Sequence, residues 1–294
     1  MFYSLYCQTV ESEIPLDSFG VKQEEKASPN NIILDFIQST DNFTNQYLNH
    51  QTKINEDYGY YYIEDIAFFE VFSGNRIVIK YFHEIDNDLI HSLLNYPFAI
   101  LFNQRKKYVI HASSIYYKDK VFCFCGKSQS GKSSLLSYFL TKGGLLISED
   151  TCVFDYNENE LFLLPSYNFL KISDDINHYI DLPLSNPIEF KKKSTNRKGY
   201  ILDDHKFLSK PKIVDYFIYL QWSDKSTKLK KLTDEASLEL LLSNAFISYS
   251  KENASSNFAA ASQLVNQADH FLYKREKKLQ TLDDFFNIFS NKLL

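Results

Sequence analysis

A chain of 294 residues, 44% of them hydrophobic, is long enough to bury a substantial core without covalent staples. Its net charge of −5 lacks the basic surplus of a phosphate-tracking protein, so nucleic acid is not an expected partner. No basic start followed by an apolar run opens the chain, and no apolar stretch approaches the length of a membrane span, so no membrane partner and a soluble, cytoplasmic protein are expected.

Residues 1–56 mix short apolar runs with polar stretches, and Pro29-Asn30-Asn31 marks a loop. From Tyr60 the pattern tightens. The β-prone runs 67–72 and 76–82, joined by Ser73-Gly74-Asn75, predict an antiparallel hairpin. Residues 85–102 have helical spacing interrupted by Pro97. This front part, residues 1–104, reads as a β-rich and partly helical extension of a scaffold kind, ahead of a second unit over 105–294 within one compact body.

His111 closes the strand that follows, fifteen residues before Gly126, so a hairpin would return it to the strand of Val121 to Cys125. That strand leads into Gly126-Lys127-Ser128-Gln129-Ser130-Gly131-Lys132-Ser133, which fits G-x-x-x-x-G-K-[S/T] at every fixed position and runs on through Ser134 into an amphipathic helix. This is a phosphate-binding loop. Its glycines let the backbone turn with N–H groups inward, and the helix N-terminus adds partial positive charge. Lys132 is placed to reach the β- and γ-phosphates, and its side chain is expected to be exposed in the empty protein; Ser133 is placed to ligate Mg²⁺. A nucleoside triphosphate is the implied partner.

Lys142-Gly143-Gly144 ends the helix, and Leu145 to Ser148 forms a strand running into Glu149-Asp150, eighteen residues after Lys132. Acidic residues at such a strand end are placed for a Mg²⁺ ligand and for the group that polarises a nucleophile. Residues 152–164 read as another hairpin, 174–186 as a loop without recognisable chemistry, and 189–200 as a basic loop containing Lys191, Lys192, Lys193, Arg197 and Lys198. That basic loop has two readings, a solvated surface or a mobile loop closing on the nucleotide or on an acidic peptide. Residues 212–222 are a buried-type strand and 223–231 a charged turn, with helical spacing at 232–249, 258–264 and 282–294. Cys123 and Cys125 share one strand face; with Cys7 and Cys152 they show no metal-type spacing and are expected to be reduced.

The order His111-Ala112-Ser113, the loop 126–133, Leu146-Ile147-Ser148-Glu149-Asp150, Leu164-Pro165-Ser166-Tyr167 and Leu170-Lys171-Ile172 resembles the HPr serine kinase/phosphorylase-like family. The resemblance is closest to the branch that includes lasso-peptide precursor kinases. It implies an α/β P-loop domain of the HPr kinase/phosphoenolpyruvate carboxykinase type, with a mixed, curved sheet. It also implies ATP- and Mg²⁺-dependent phosphorylation of a serine in a peptide or small protein. By position, Asp150 would accept the serine proton, and His111 would sit beside the reacting phosphate. Glu149 would stand where the family has its first aspartate, and Arg197 and Lys198 would fall on its basic stretch. The signature segment of the bifunctional kinases is not found after the second hairpin, which points away from sugar-transport regulation and the reverse phosphorylase reaction and toward a peptide or specialised substrate. A homo-oligomer is compatible with all of this. A nucleotide-binding regulatory module with little turnover and a kinase for a small hydroxylated metabolite are the alternatives.

Overall fold

The computed structural model describes residues 1–40, 52–184, 186–191, 196–224, 228–246 and 251–293. Eight strands come first: β1 (Phe2–Leu5), β2 (Gln8–Ser12), β3 (Lys22–Glu24), β4 (Ile32–Gln38), β5 (Thr52–Ile54), β6 (Tyr58–Ile63), β7 (Ala67–Phe72) and β8 (Arg76–Tyr81). They form one sheet in the order β3-β1-β2-β4-β8-β7-β6-β5. The expected hairpin is β7–β8, antiparallel with Phe72 opposite Arg76. Its turn holds Ser73 and Gly74 at φ of 46° and 67°, the left-handed pair that matches the twist of the flanking strands.

The helical spacing that follows is two helices, α1 (Asn87–Leu93) and α2 (Tyr96–Gln104). Pro97 lies in the first turn of α2, where its missing N–H leaves no hydrogen bond unmade, so it begins the second helix instead of kinking a single one. Phe98, Ala99, Ile100, Leu101 and Phe102 of α2 are all buried. A helix apolar on every side needs cover on every side, and α2 lies between β6 and β7 on one hand and the later strand at 108–110 on the other. One buried cluster accordingly joins Tyr3, Leu34 and Phe98 to Val109, Val153 and Phe169, so the front of the chain and the rest share a core.

The remaining elements are β9 (Tyr108–Ile110), β10 (Ala112–Tyr117), β11 (Lys120–Cys125), α3 (Lys132–Thr141), β12 (Leu145–Ser148), β13 (Cys152–Asn157), β14 (Glu160–Leu164), β15 (Phe169–Ser173), α4 (Asp174–Ile180), β16 (Arg197–Ile201), β17 (Tyr216–Trp222), β18 (Lys228–Lys231), α5 (Asp234–Ser243), α6 (Lys251–Gln267), β19 (Asp269–Arg275) and α7 (Thr281–Lys292). The principal sheet runs β12-β10-β11-β17-β19-β18. It is mixed: β10 is antiparallel to β11 and β12, whereas β17 runs parallel to β11 and β19 parallel to β17. Its loop strand β11 is buried along nearly its whole length, as a central strand of apolar side chains must be.

Four stretches differ from expectation. The supposed loop after Ser173 starts with α4, whose Ile176 packs into the core near α3. The basic stretch does not end as a loose loop: Arg197 and Lys198 begin β16, which pairs with β15, and Lys192 and Lys193 lie outside the described residues. The charged turn closes with β18, an edge strand tolerant of its three lysines because one side faces water. Between the last two helices stands β19, an interior strand whose Lys274 and Asp269 mask its apolar run. Cys7, Cys123, Cys125 and Cys152 are free thiols, and no helix among the described residues is long and apolar enough to cross a membrane.

Candidate active site at the phosphate-binding loop

The register of the sheet gathers the site at one end. Ala112 opposes Cys125 and Ser114 opposes Ser148, so His111, Gly126 and the Glu149-Asp150 pair all lie at the sheet end where β10 starts and β11 and β12 stop. Gly126 has φ 139° and Gly131 φ 93°, both in territory that side chains avoid. A Cβ on Gly131 would stand 1.8 Å from Arg275 Nη2, so a side chain there would be strained in its backbone and would displace the guanidinium that grips the loop.

Lys132 departs from the exposed side chain expected of it. It is 5% exposed, and its Nζ donates to Gly126 O at 3.0 Å and Lys127 O at 3.3 Å. The loop curls around the ammonium and supplies carbonyls where phosphate oxygens would otherwise stand. Burial lowers the Lys132 pKa, while the charges of Asp150 and Glu149 oppose that shift. Lys127, Ser128 and Gln129 form the exposed shoulder of the loop, and Ser130 and Ser133 are buried in it. Two residues grip it from behind: Trp222 Nε1 donates to Gln129 O at 3.1 Å and Arg275 Nη2 to Ser130 O at 3.4 Å.

Asp150 sits at φ 61°, a left-handed conformation that aspartate tolerates better than most residues. Its carbonyl lies 2.9 Å from His111 Nδ1. His111 is tied down again through its backbone N–H, which donates to Asn244 O at 2.8 Å, and the Asn244 side chain accepts from Gly126 N at 3.2 Å. Burial and the neighbouring Lys132 charge lower the His111 pKa, favouring the neutral ring. Glu149 is 7% exposed; its Oε2 accepts from Lys171 N at 2.7 Å and its Oε1 has no hydrogen-bond partner. Burial, with the Asp150 charge adding to it, pushes the Glu149 pKa up to about 8.

Arg197 faces this cluster, its charge felt at Lys132, Glu149 and Lys171. Lys198 does not join it. Adjacent residues of a strand point to opposite faces, and the Lys198 ammonium pairs instead with Asp174 at 3.2 Å and Glu189 at 3.6 Å. Lys191 is likewise committed elsewhere, to Glu84 and to Asp86. Lys171 takes the place that Lys198 was expected to fill: its pKa is lowered by burial and raised by Asp150 and Glu149, and its ammonium lies 4.1 Å from the Phe190 ring centre. A lysine alternating with apolar neighbours in Leu170-Lys171-Ile172 is the sequence signal for it. Trp222, Asn244 and Arg275 carried no such signal, because only the folded sheet brings them to the loop.

Ser133 and Glu149 fit a divalent cation. A buried carboxylate oxygen without a partner beside the loop serine is a donor set lacking its acceptor, and a cation bound there would offset the cost of ionising Glu149 that its raised pKa expresses. Among the described residues no group of three His, Cys, Asp or Glu side chains makes an all-protein metal site. Mg²⁺ held by Ser133, Glu149 and the adjoining Asp150 would therefore complete its shell with phosphate oxygens and water.

No family model matches the chain. It is 30% identical over 173 residues to the probable GTP-binding protein EngB of Mycoplasmopsis synoviae (strain 53), an alignment covering 49% of this chain and 92% of EngB. The chain belongs to the P-loop NTPases. Among solved structures, this P-loop NTPase overlaps the Hpr(Ser) kinase/phosphatase from Coxiella burnetii, at 12% identity over 62% of this chain and 88% of the other. The TM-score is 0.32, and an overlap that loose carries no argument about activity.

Proposed function

We propose that this P-loop NTPase is an ATP- and Mg²⁺-dependent kinase that phosphorylates a serine of a peptide or small protein. The observation that carries this reading is Asp150, held at the loop by its own backbone contact to His111. A module that only retains nucleotide needs a carboxylate there as a Mg²⁺ ligand, a part Glu149 can fill; a transferase needs a further one to orient and deprotonate the incoming hydroxyl. The motif order shared with the HPr serine kinase/phosphorylase-like family, including lasso-peptide precursor kinases, supports the same reading.

In the proposed step the serine oxygen attacks the γ-phosphorus, the bond from phosphorus to the β–γ bridging oxygen breaks, and its electron pair leaves with ADP. The serine proton passes to Asp150. Lys132, Arg197 and Lys171 offset the charge spread over the phosphoryl oxygens, and neutral His111 holds the Asp150 carbonyl and so the orientation of its carboxylate. Mg²⁺, when bound, supplies charge neutralisation and a template for the phosphates.

Incubating the protein with Mg·ATP and serine-containing peptides should give a mass increase of one phosphoryl group on a peptide serine. The GTP-binding relative favours a second reading, a nucleotide-regulated module with little turnover. Nucleotide binding with no transfer to any peptide, in ATP or in GTP, would select that module.

A further inference from the structure

The loop separates two cavities of opposite character. One, of about 860 Å³, lies on the side of Gly126, Lys127 and Ser128 and contains His111. The other, of about 480 Å³, lies on the side of Gln129, Gly131 and Ser134. Trp222 stands in the wall of both. The smaller cavity is lined by Arg197, Arg275, Lys277 and Lys278 against a single carboxylate, Asp175. The larger has Lys127 as its only lysine or arginine and no carboxylate among the described residues.

Arg275 is the unusual member of the smaller cavity. It is 3% exposed, with Nη1 donating to Thr281 Oγ1 at 3.1 Å, Nη2 donating to Ser130 O at 3.4 Å and Nε without a partner. Burial lowers its pKa to about 10, and no carboxylate contributes to offset it. Its guanidinium stacks on the Trp222 ring at 4.4 Å, which offsets part of the cost of burial, yet no carboxylate balances its charge, and it stands against a phosphate-binding loop. The polarity of the loop says which part of a ligand supplies the missing charge. Lys132, Ser133, Asp150 and His111 define the γ-phosphate end, so a triphosphate lying along the loop leaves past Ser134, into the smaller cavity.

We propose that the smaller cavity takes the α-phosphate and nucleoside of the bound triphosphate, with Arg275 as its buried counter-charge, and that the larger cavity on the His111 side stays open for the acceptor. The linings agree with this division: the larger cavity, walled in part by Ile54, Tyr96, Leu240 and Phe246, suits a hydroxyl carried on an uncharged, apolar segment. The nucleoside assignment rests on triphosphate binding alone, and the acceptor assignment on the kinase reading as well.

Two exposed positions allow each cavity to be plugged separately, Asp175 in the smaller and Ser243 in the larger. Calorimetry with Mg·ATP and with inorganic tripolyphosphate, which has no nucleoside, reads the outcome. Asp175→Phe should weaken Mg·ATP by about tenfold or more while binding tripolyphosphate no more weakly than the unaltered protein. Ser243→Phe should leave both affinities unchanged and impair peptide phosphorylation. The nucleoside assignment is overturned if Ser243→Phe is the variant that loses Mg·ATP, or if Asp175→Phe leaves it untouched. Ser243→Phe with unimpaired transfer would overturn the acceptor assignment. Failure of the unaltered protein to bind either ligand would overturn triphosphate binding itself, a result distinct from a reversed direction.

Discussion

The two sheets of this molecule differ in how completely they satisfy themselves. Among the described residues up to 104, no buried side-chain nitrogen or oxygen lacks a hydrogen-bond partner; the atoms that do lack one all come later, and Ser130 Oγ, Glu149 Oε1 and Arg275 Nε surround the phosphate-binding loop. The eight-stranded sheet is closed on its own terms, with aromatic packing such as Tyr61 on Tyr96 and exposed ion pairs such as Arg76 with Asp35. The six-stranded sheet ends in polar groups for which the described residues supply no hydrogen-bond partner. Buried polar atoms are expensive when unpaired, so a cluster of them marks where stability has been given up for binding.

Lys132→Ala should produce the largest effect, because it removes both the ligand's cation and the group that now occupies the loop carbonyls. Charge-assisted hydrogen bonds are worth about 1.5–3 kcal/mol, so Mg·ATP affinity should fall by about 100-fold in calorimetry, with a lower melting temperature as well. Unchanged affinity in a folded variant would break the comparison at its centre. Asp150→Asn comes next: transfer should fall by about 10²-fold or more with nucleotide affinity within about threefold. Full transfer activity would remove Asp150 from the role of base.

Glu149→Gln sharpens the comparison through pH. The carboxyl titrates near 4.5 in ordinary surroundings and near 8 in the folded protein, so the folded state keeps a proton that the unfolded chain gives up. Stability of the nucleotide-free protein should therefore fall as pH rises from about 4.5 to about 8 and level off above, and Glu149→Gln should flatten that slope in thermal melts. A wild-type slope that persists in the variant would place the strain elsewhere. The smallest effect belongs to the self-satisfied sheet. Arg76→Ala breaks an exposed pair with Asp35 and should cost under about 1 kcal/mol in denaturant melts, with transfer unchanged.

How much of this was legible in the sequence follows the range over which each feature is encoded. The loop, the β7–β8 hairpin and the β12 strand with its acidic end were readable because motif, turn and strand end are contiguous. His111 was readable as a neighbour of the loop because a single hairpin returns it there. The hidden parts are of two kinds. β16, β18 and β19 carry charged residues that blur the two-residue period, and their strand character comes from the partners they meet. Arg275, Trp222 and Asn244 reach the loop from strands and a helix more than 90 residues away, so only tertiary contact gives them a role. Arg197 and Lys198 were inseparable as neighbours in sequence; strand alternation is what sends one to the site and the other to Asp174.

Asn244 has a consequence that reaches beyond its two hydrogen bonds. Its side chain holds the first loop glycine and its carbonyl holds the His111 backbone, while the His111 ring closes on Asp150. Three groups encoded on three strand ends thereby hang from the last turn of α5 like parts bolted to one bracket. A strain on this helix end would pull on all three at once, so their mutual spacing is set from one place. A loop, a histidine and an acidic strand end that lie far apart in sequence are thus kept in register by one residue at the end of a helix that also walls the larger cavity.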